Sequence, residues 1–294
     1  MVSIKKQKLG NKEYYYLHHS FRINGTLKTK ELYLGKTLPE DLENKKREFL
    51  HTIFKEKWFV YFDRILENYF KEMKKTPISA LEKQTMVFSI RFTYDTNRIE
   101  GSTLTLRETA DLLERGITPS SRPLNDVKEA EAHRDLFYEV LNHKKDLDLH
   151  VILHWHKRLL ERTKPEIAGR IRDHQVMISG SRFMPPLSVE LHPLLMDFFK
   201  WYNKSKGKLH PVELAALVHL RFVSTHPFTD GNGRISRIMM NYVLHKHGFP
   251  MLNIPYEKGG GYYRALERVH LQKDDTIFLN WFFKRYLKEF KRYL

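Results

Sequence analysis

The sequence predicts a mainly α-helical fold with a small β appendage and a short flap. Three observations lead there. After Pro39, apolar residues recur at helical spacing over most of the chain. Before Pro39, Tyr-, Thr- and Leu-rich runs alternate with turn signals. Around Gly180, a β-like stretch meets a Ser-Gly turn and a Pro-Pro stop. With 294 residues the chain has room for one large domain or two smaller ones.

The elements follow in order. Gly10-Asn11 and Asn24-Gly25 are turn signals, the second strong for a two-residue hairpin. The runs between and around them predict a three-stranded antiparallel meander over 1–36. From 40 to 75, Leu50, Ile53, Phe54, Trp58, Tyr61, Phe62, Ile65, Leu66, Tyr69 and Phe70 keep a helical period, and Thr76-Pro77 breaks it. That stretch reads as one long helix. Further helices are expected at 79–97, 105–115, 124–143 and 148–161. The stretch 174–186 differs: His174 to Ile178 is β-like, Ser179-Gly180-Ser181 turns, and Arg182-Phe183-Met184 runs into Pro185-Pro186. It reads as a short hairpin or flap. Helices resume at 189–203, 210–224, 232–247, 259–270 and 275–293. No internal repeat and no low-complexity tract is visible.

Composition narrows the function. The chain has no cysteine, which excludes a disulfide scaffold, a zinc ribbon, an iron–sulfur centre and a cysteine nucleophile. Lys and Arg outnumber Asp and Glu by 51 to 35, a net charge of +16 that favours acidic or polyanionic partners. The excess is concentrated at the ends: 1–36 holds eight basic residues against Glu13 and Glu31, and 284–294 holds five against Glu289. A basic, aromatic sheet binds nucleic acid in some proteins. Lys on edge strands is also the ordinary guard against sheet-to-sheet aggregation, and this reading is favoured here. No apolar run approaches the roughly 20 residues of a bilayer span, and the N-terminus lacks the apolar core of a signal peptide. Cytoplasmic residence is the expectation.

The chemistry concentrates in His226-Pro227-Phe228-Thr229-Asp230-Gly231-Asn232-Gly233-Arg234-Ile235-Ser236-Arg237. The stretch links two expected helices, so its loop is held between rigid rods. Gly231-Asn232-Gly233 sits where the second helix begins. There, free N–H groups and the helix dipole favour an anion. Arg234 and Arg237, three apart, project from one face. Two arginines beside a backbone nest suit more than one phosphate. Asp230 would repel a bare phosphate but would hold a divalent cation that bridges phosphates. His226 is then a base or acid within reach of the phosphorus. Taken singly, each residue has a plain structural reading: Asp230 as an N-cap, the glycines as a turn, His226 as a loop histidine. Together they are hard to explain that way.

Rival motifs fail. Gly35-Lys36-Thr37 resembles the end of a P-loop, but position 30 is Lys; Ser236 stands where a dinucleotide fingerprint needs its third Gly. No HExxH is present, and His150, His154 and His156 lack a carboxylate in ligand pattern, which favours surface or core histidines.

The stretch HPFTDGNGRISR resembles the signature of the Fic family at every fixed position, and the resemblance extends over about 77–272. It implies a Fic-type helical core with a β-hairpin flap, preceded by the basic meander (1–38) and a connecting helix (39–76), and followed by a C-terminal helix (273–294). It implies a protein adenylyltransferase that moves AMP from ATP to a hydroxyl of a target protein, or of itself. In that reading His226 deprotonates a Tyr, Thr or Ser hydroxyl, and Asp230 holds Mg²⁺ or Mn²⁺. Gly231, Asn232, Gly233, Arg234, Ile235, Ser236 and Arg237 bind the phosphates. The flap turn Ile178, Ser179, Gly180, Ser181 lies near the nucleotide and clamps the target by strand addition. Tyr262 and Tyr263 line the base pocket. His270 stands where the family often has Asn, and imidazole cannot present both amide groups to adenine. Family members often dimerise.

Thr96-Asn97-Arg98-Ile99-Glu100-Gly101 resembles the family's inhibitory motif, upstream in the same chain. The resemblance implies a bidentate, partly buried Glu100–Arg237 pair that denies Arg237 to the γ-phosphate. The plain reading is that Glu100-Gly101 ends a helix, with Gly101 as its C′ residue. In some relatives the same Glu positions water to remove AMP, which makes a deadenylylating or bifunctional enzyme an alternative. A regulator acting on nucleic acid through 1–36 is the alternative of another class. A toxin that relies on a partner for its brake is disfavoured, because Glu100 is in the chain itself. A phosphocholine or other nucleotide donor also stays open.

Overall fold

The computed structural model describes residues 2–294 except Asn24 and Ser179; the side chain of Lys258 also lies outside the described part. The chain forms two compact units. One comprises 1–68 with 290–294, the other 69–289.

The smaller unit begins with strands β1 (Ser3–Leu9), β2 (Lys12–Ile23) and β3 (Thr26–Gly35), paired antiparallel in the order β1-β2-β3. Gly10 turns β1 into β2 at φ 60°. Gly25 lies in the second turn at φ 81°, while Asn24 of the expected Asn-Gly pair lies outside the described residues. Alternation along β2 and β3 puts Leu17, Phe21 and Leu34 on one face, where they pack with Phe49 and Ile53 of α1 (Leu42–Phe54). Much of the sheet's positive charge is paired: Lys5 with Glu31 at 2.8 Å, Lys6 with Glu13 at 2.7 Å, Lys30 with Glu56 at 2.6 Å. This weakens the case for a nucleic-acid face.

The single long helix expected over 40–75 is instead two. A π-helical turn, Lys55–Phe59, separates α1 from α2 (Val60–Lys75). The neighbours Trp58 and Phe59 are both buried. A regular helix sets consecutive side chains 100° apart, and the wider turn lets both aromatic rings enter the core.

The larger unit contains α3 (Ile78–Ile99), α4 (Leu106–Arg115), α5 (Leu124–Asn142), α6 (Leu149–Leu160), α7 (Leu191–Ser205), α8 (Pro211–Thr225), α9 (Asn232–Lys246), α10 (Gly259–Gln272) and α11 (Thr276–Glu289). Their ends follow local chemistry. Thr105 and Glu108 form a reciprocal capping box on α4, which stops at Gly116 in the left-handed region. Asp148 caps α6 through Val151 N–H, and His210 with Pro211 starts α8. The last expected helix, 275–293, stops at Glu289 and gives way to a tight turn at Lys291–Tyr293.

Helices α8 and α9 are buried almost all round. They pack on each other. α3, α5 and α6 pack against α9, while α7 and α11 pack against α8. The loop between α8 and α9 therefore hangs from the two most constrained rods in the unit.

The flap departs from expectation. Among the described residues, 174–187 carries no strand ladder. Ser181 N–H bonds Ile178 O at 3.1 Å, and the Gln175 amide donates to Pro185 O at 3.0 Å. Pro185 and Pro186 have no N–H to offer a ladder, and a side chain has taken the Pro185 carbonyl. The segment is a turn-tipped loop.

Candidate active site

His226 ends α8 in the left-handed region (φ 49°, ψ 55°). Its Nδ1 lies 3.3 Å from Val223 O. A carbonyl only accepts, so Nδ1 carries the proton and Nε2 keeps its lone pair. Burial, with help from the Arg172 charge, pushes the imidazole below its usual pKa, against the opposing pull of Glu100 and Asp230. The ring is neutral at neutral pH.

The loop after it is stapled rather than loose. Asn232 Oδ1 accepts from Phe228 N–H at 2.9 Å, and its Nδ2 donates to Phe228 O at 2.7 Å. This overturns the expected phosphate-facing role of the Asn232 side chain: both its groups are spent on the buried Phe228 backbone. Ile235 and Ser236 are also fully buried, and Ser236 Oγ donates to Gly233 O at 2.8 Å. Phe228 stacks on His156, ring centres 3.7 Å apart. His156 Nδ1 accepts Gly169 N–H at 2.9 Å, so its Nε2 donates to Asp230 O at 3.0 Å. Burial pushes His156 down to about 4. It is a structural histidine, while His154 meets Glu139 on the surface at 2.6 Å.

Gly231, at φ 80°, makes the turn into α9. Asp230 beside it is ionised. Burial disfavours its charge, but Arg234, Lys164 and the Gly231 N–H hold it down to about 2. Lys164 bonds Asp230 Oδ2 directly, and Arg234 Nη2 is 3.2 Å from Oδ1. Arg234 is buried and also pairs closely with Glu129 of α5. It is engaged with Glu129 and Asp230, where the sequence reading puts it with Arg237 on the phosphates. Replacing Glu129 with Ala should cost about 3 kcal/mol, because it strips a buried cation of its nearest carboxylate. Urea unfolding of the two proteins checks this.

Arg237 faces α3. Its Nε donates to Thr96 Oγ1 at 2.6 Å, and its Nη2 to Glu100 Oε1 at 2.6 Å and to Thr96 O at 3.3 Å. The pair with Glu100 thus rests on one carboxylate oxygen. The expected bidentate form is absent, and Nε goes to Thr96. Glu100 also ends α3, with Gly101 following at φ 100°, so the helix-end reading holds as well. The carboxylate lies directly over Gly233: a Cβ there would collide with Glu100 Oε1. Glu100 therefore occupies the anion-favouring space at the start of α9.

These groups share one cavity of about 650 Å³, lined by Glu100, His226, Gly233 and Arg237 on one side and by Tyr262, Tyr263 and His270 on another. Ile178, Gly180 and Ser181 of the flap close over it; Ser179 lies outside the described residues. Tyr262 is buried and meets His219 at 3.0 Å, and Tyr263 OH donates to Ile99 O at 3.2 Å. His270 stacks on Phe183, centres 3.6 Å apart, and its Nε2 lies 2.8 Å from Ser224 Oγ. Burial, then the nearby His226, pushes His270 down to about 4.

The donor set fits a hard cation only in a limited way. Among the described residues no cluster of three metal-ligating side chains exists. One ionised carboxylate beside an anion site is nevertheless how Mg²⁺ is held when phosphates supply its other oxygens. Lys164 would then have to leave Asp230. Sequence reasoning missed Glu129, Lys164 and Arg172, which reach the loop from other elements.

Comparison with known proteins gives a consistent picture. Residues 146–244 match the Fic/DOC family model. Over 199 residues the chain is 34% identical to protein adenylyltransferase fic-1 of Caenorhabditis elegans, covering 66% of this chain and 39% of that protein. With protein adenylyltransferase Fic of Drosophila melanogaster the identity is 35% over 179 residues, 59% of this chain and 36% of that one. The chain thus spans about two fifths of the length of the curated relatives it matches. A Fic-domain-containing signaling protein of Bacteroides thetaiotaomicron superimposes with a TM-score of 0.71 at 28% identity, covering 78% of this chain and 95% of that one. Fic-1 of C. elegans superimposes at 0.68 with 27% identity, covering 86% and 74%.

Proposed function

This chain belongs to the Fic/DOC family, and on that premise we propose that it is a protein adenylyltransferase held in check by its own Glu100. The observation that carries the reading is the shared cavity. A neutral His226, the start of α9, Arg237 and a tyrosine-lined recess all open onto it. Transfer from a nucleoside triphosphate to a hydroxyl needs an anion site, a base recess and a proton acceptor, and all three line this cavity.

The reaction follows from that arrangement. A hydroxyl of a target protein, or of this chain, presents its oxygen to the α-phosphorus. His226 Nε2 takes the hydroxyl proton as the new P–O bond forms. The bond to the bridging oxygen breaks and pyrophosphate departs. Arg237 and the α9 N-terminus offset the phosphate charge, which is the larger part of such catalysis. Asp230 would hold Mg²⁺ or Mn²⁺, which when bound neutralises phosphate oxygens. Residues 77–272 would form the catalytic core, preceded in sequence by the meander 1–38 and the connector 39–76 and followed by the helical tail 273–294. Tyr262, Tyr263 and His270 would meet the base, and Thr96 would support the Glu100–Arg237 contact.

Incubation with Mg²⁺ and ATP labelled at the α- or the γ-phosphate tests this. α-label should enter protein and γ-label should not. If γ-label alone enters, the enzyme is a phosphotransferase and the reading fails. If neither enters, even without Glu100, it also fails.

A second activity has one observation in its favour. The Glu100 carboxylate lines the same cavity as His226 and can hold a water for removal of AMP. Release of AMP from a modified protein, with and without Glu100, separates the two directions. No helix among the described residues is long and apolar enough to cross a membrane.

A further inference from the structure

Arg172 lies ahead of the flap and is buried. Its guanidinium spends its donors on three backbone carbonyls. Nε donates to His226 O at 3.0 Å, Nη1 to His174 O at 2.7 Å, and Nη2 to Pro186 O at 2.6 Å. Its own N–H bonds Pro227 O at 3.0 Å. His174 and Pro186 are the two roots of the flap. One side chain thus joins both roots to the backbone of the catalytic histidine.

We propose that Arg172 is a positioning residue that sets the distance between the flap, and whatever target segment lies on it, and His226. The inference rests on the adenylyltransferase reading for its consequence, but its geometry stands independently. The flap has no strand ladder of its own among the described residues, so it needs an outside anchor. The planar fork of Arg reaches three carbonyls at fixed angles, which a Lys ammonium cannot do. Misplacing reacting atoms by about 1 Å can cost on the order of 100-fold in rate.

The charge of Arg172 adds a separate signature. The groups facing His226 are Arg172 ahead of the flap, Glu100 at the end of α3, Asp230 before α9, and His270 on α10. Arg172 lowers the His226 pKa, so its removal raises it. A base must be unprotonated, so the acid limb of the rate profile moves to higher pH.

The test uses the full chain with Arg172→Met and Arg172→Lys. Trypsin cleavage after Arg182, an exposed flap residue, should speed up at least about fivefold in both if the anchor is lost. Unchanged cleavage in a folded variant overturns the proposal, whatever the enzyme's activity. In the Glu100→Gly background, the rate of self-labelling from α-labelled ATP should fall about 10- to 100-fold. ATP affinity should stay within about twofold, and the acid limb of Arg172→Met should rise. A parallel fall in ATP affinity would point to collapse of the whole site and overturn the positioning role. Should Arg172→Met not fold, Arg172→Lys carries the same cleavage test. A parent that shows no transfer activity even with Glu100→Gly counts against the adenylyltransferase reading alone, because the cleavage result still decides the anchor.

Discussion

Replacing Glu100 with Gly should raise ATP-dependent self-labelling by on the order of 10- to 100-fold, the usual range of a built-in coupling. The reason is occupancy. The carboxylate sits over Gly233 at the start of α9 and binds Arg237 Nη2 at 2.6 Å. A phosphate at the start of α9 needs the same space beside Gly233 and the same arginine. Two anions cannot share that space, so the carboxylate must leave before the γ-phosphate can settle. The single-oxygen contact matters here. Because Thr96 holds Nε, removing Glu100 still leaves Arg237 anchored and aimed. The measurement is incorporation of α-labelled phosphate in wild type and variant at equal ATP. Equal incorporation would sink the brake, and lower incorporation would show that Glu100 assists the reaction.

The second large effect is the loss of transfer in His226→Ala, by about 100- to 10,000-fold, the contribution expected of a positioned base. ATP binding should hardly change, because the arginine and the helix start remain. The pH profile gives an independent check. Burial lowers the His226 pKa, so the base is free throughout the neutral range. Activity should therefore hold at neutral pH and fall only as pH drops through that lowered value and the ring takes a proton. A profile that falls on the alkaline side instead would assign the proton transfer to another group.

Much of this is legible in the sequence. The apolar period over 210–224 and 232–247 marks α8 and α9 within a residue of their ends. A twelve-residue stretch holds most of the site because one loop between two rods carries it. What stayed hidden lies across the fold. Glu129 and Lys164 meet Asp230 and Arg234 through packing of separate elements, and no spacing rule links them. Asn232 reads in the sequence as a phosphate ligand. Its side chain staples the loop instead, because the buried Phe228 N–H and C=O need partners. The flap misled for a related reason: β-like side chains predict a strand, but two prolines and a side-chain bond withhold the ladder.

The left-handed backbone of His226 has a consequence beyond catalysis. That conformation disfavours a side-chain-bearing residue by roughly 1–2 kcal/mol, and Gly is free of the penalty. Gly at 226 should therefore relax the loop even as it ends the reaction. Folding stability and turnover pull in opposite directions at this one position. A screen of variants scored for thermal tolerance alone would drift toward inactive protein there, and only selection for activity would keep the imidazole.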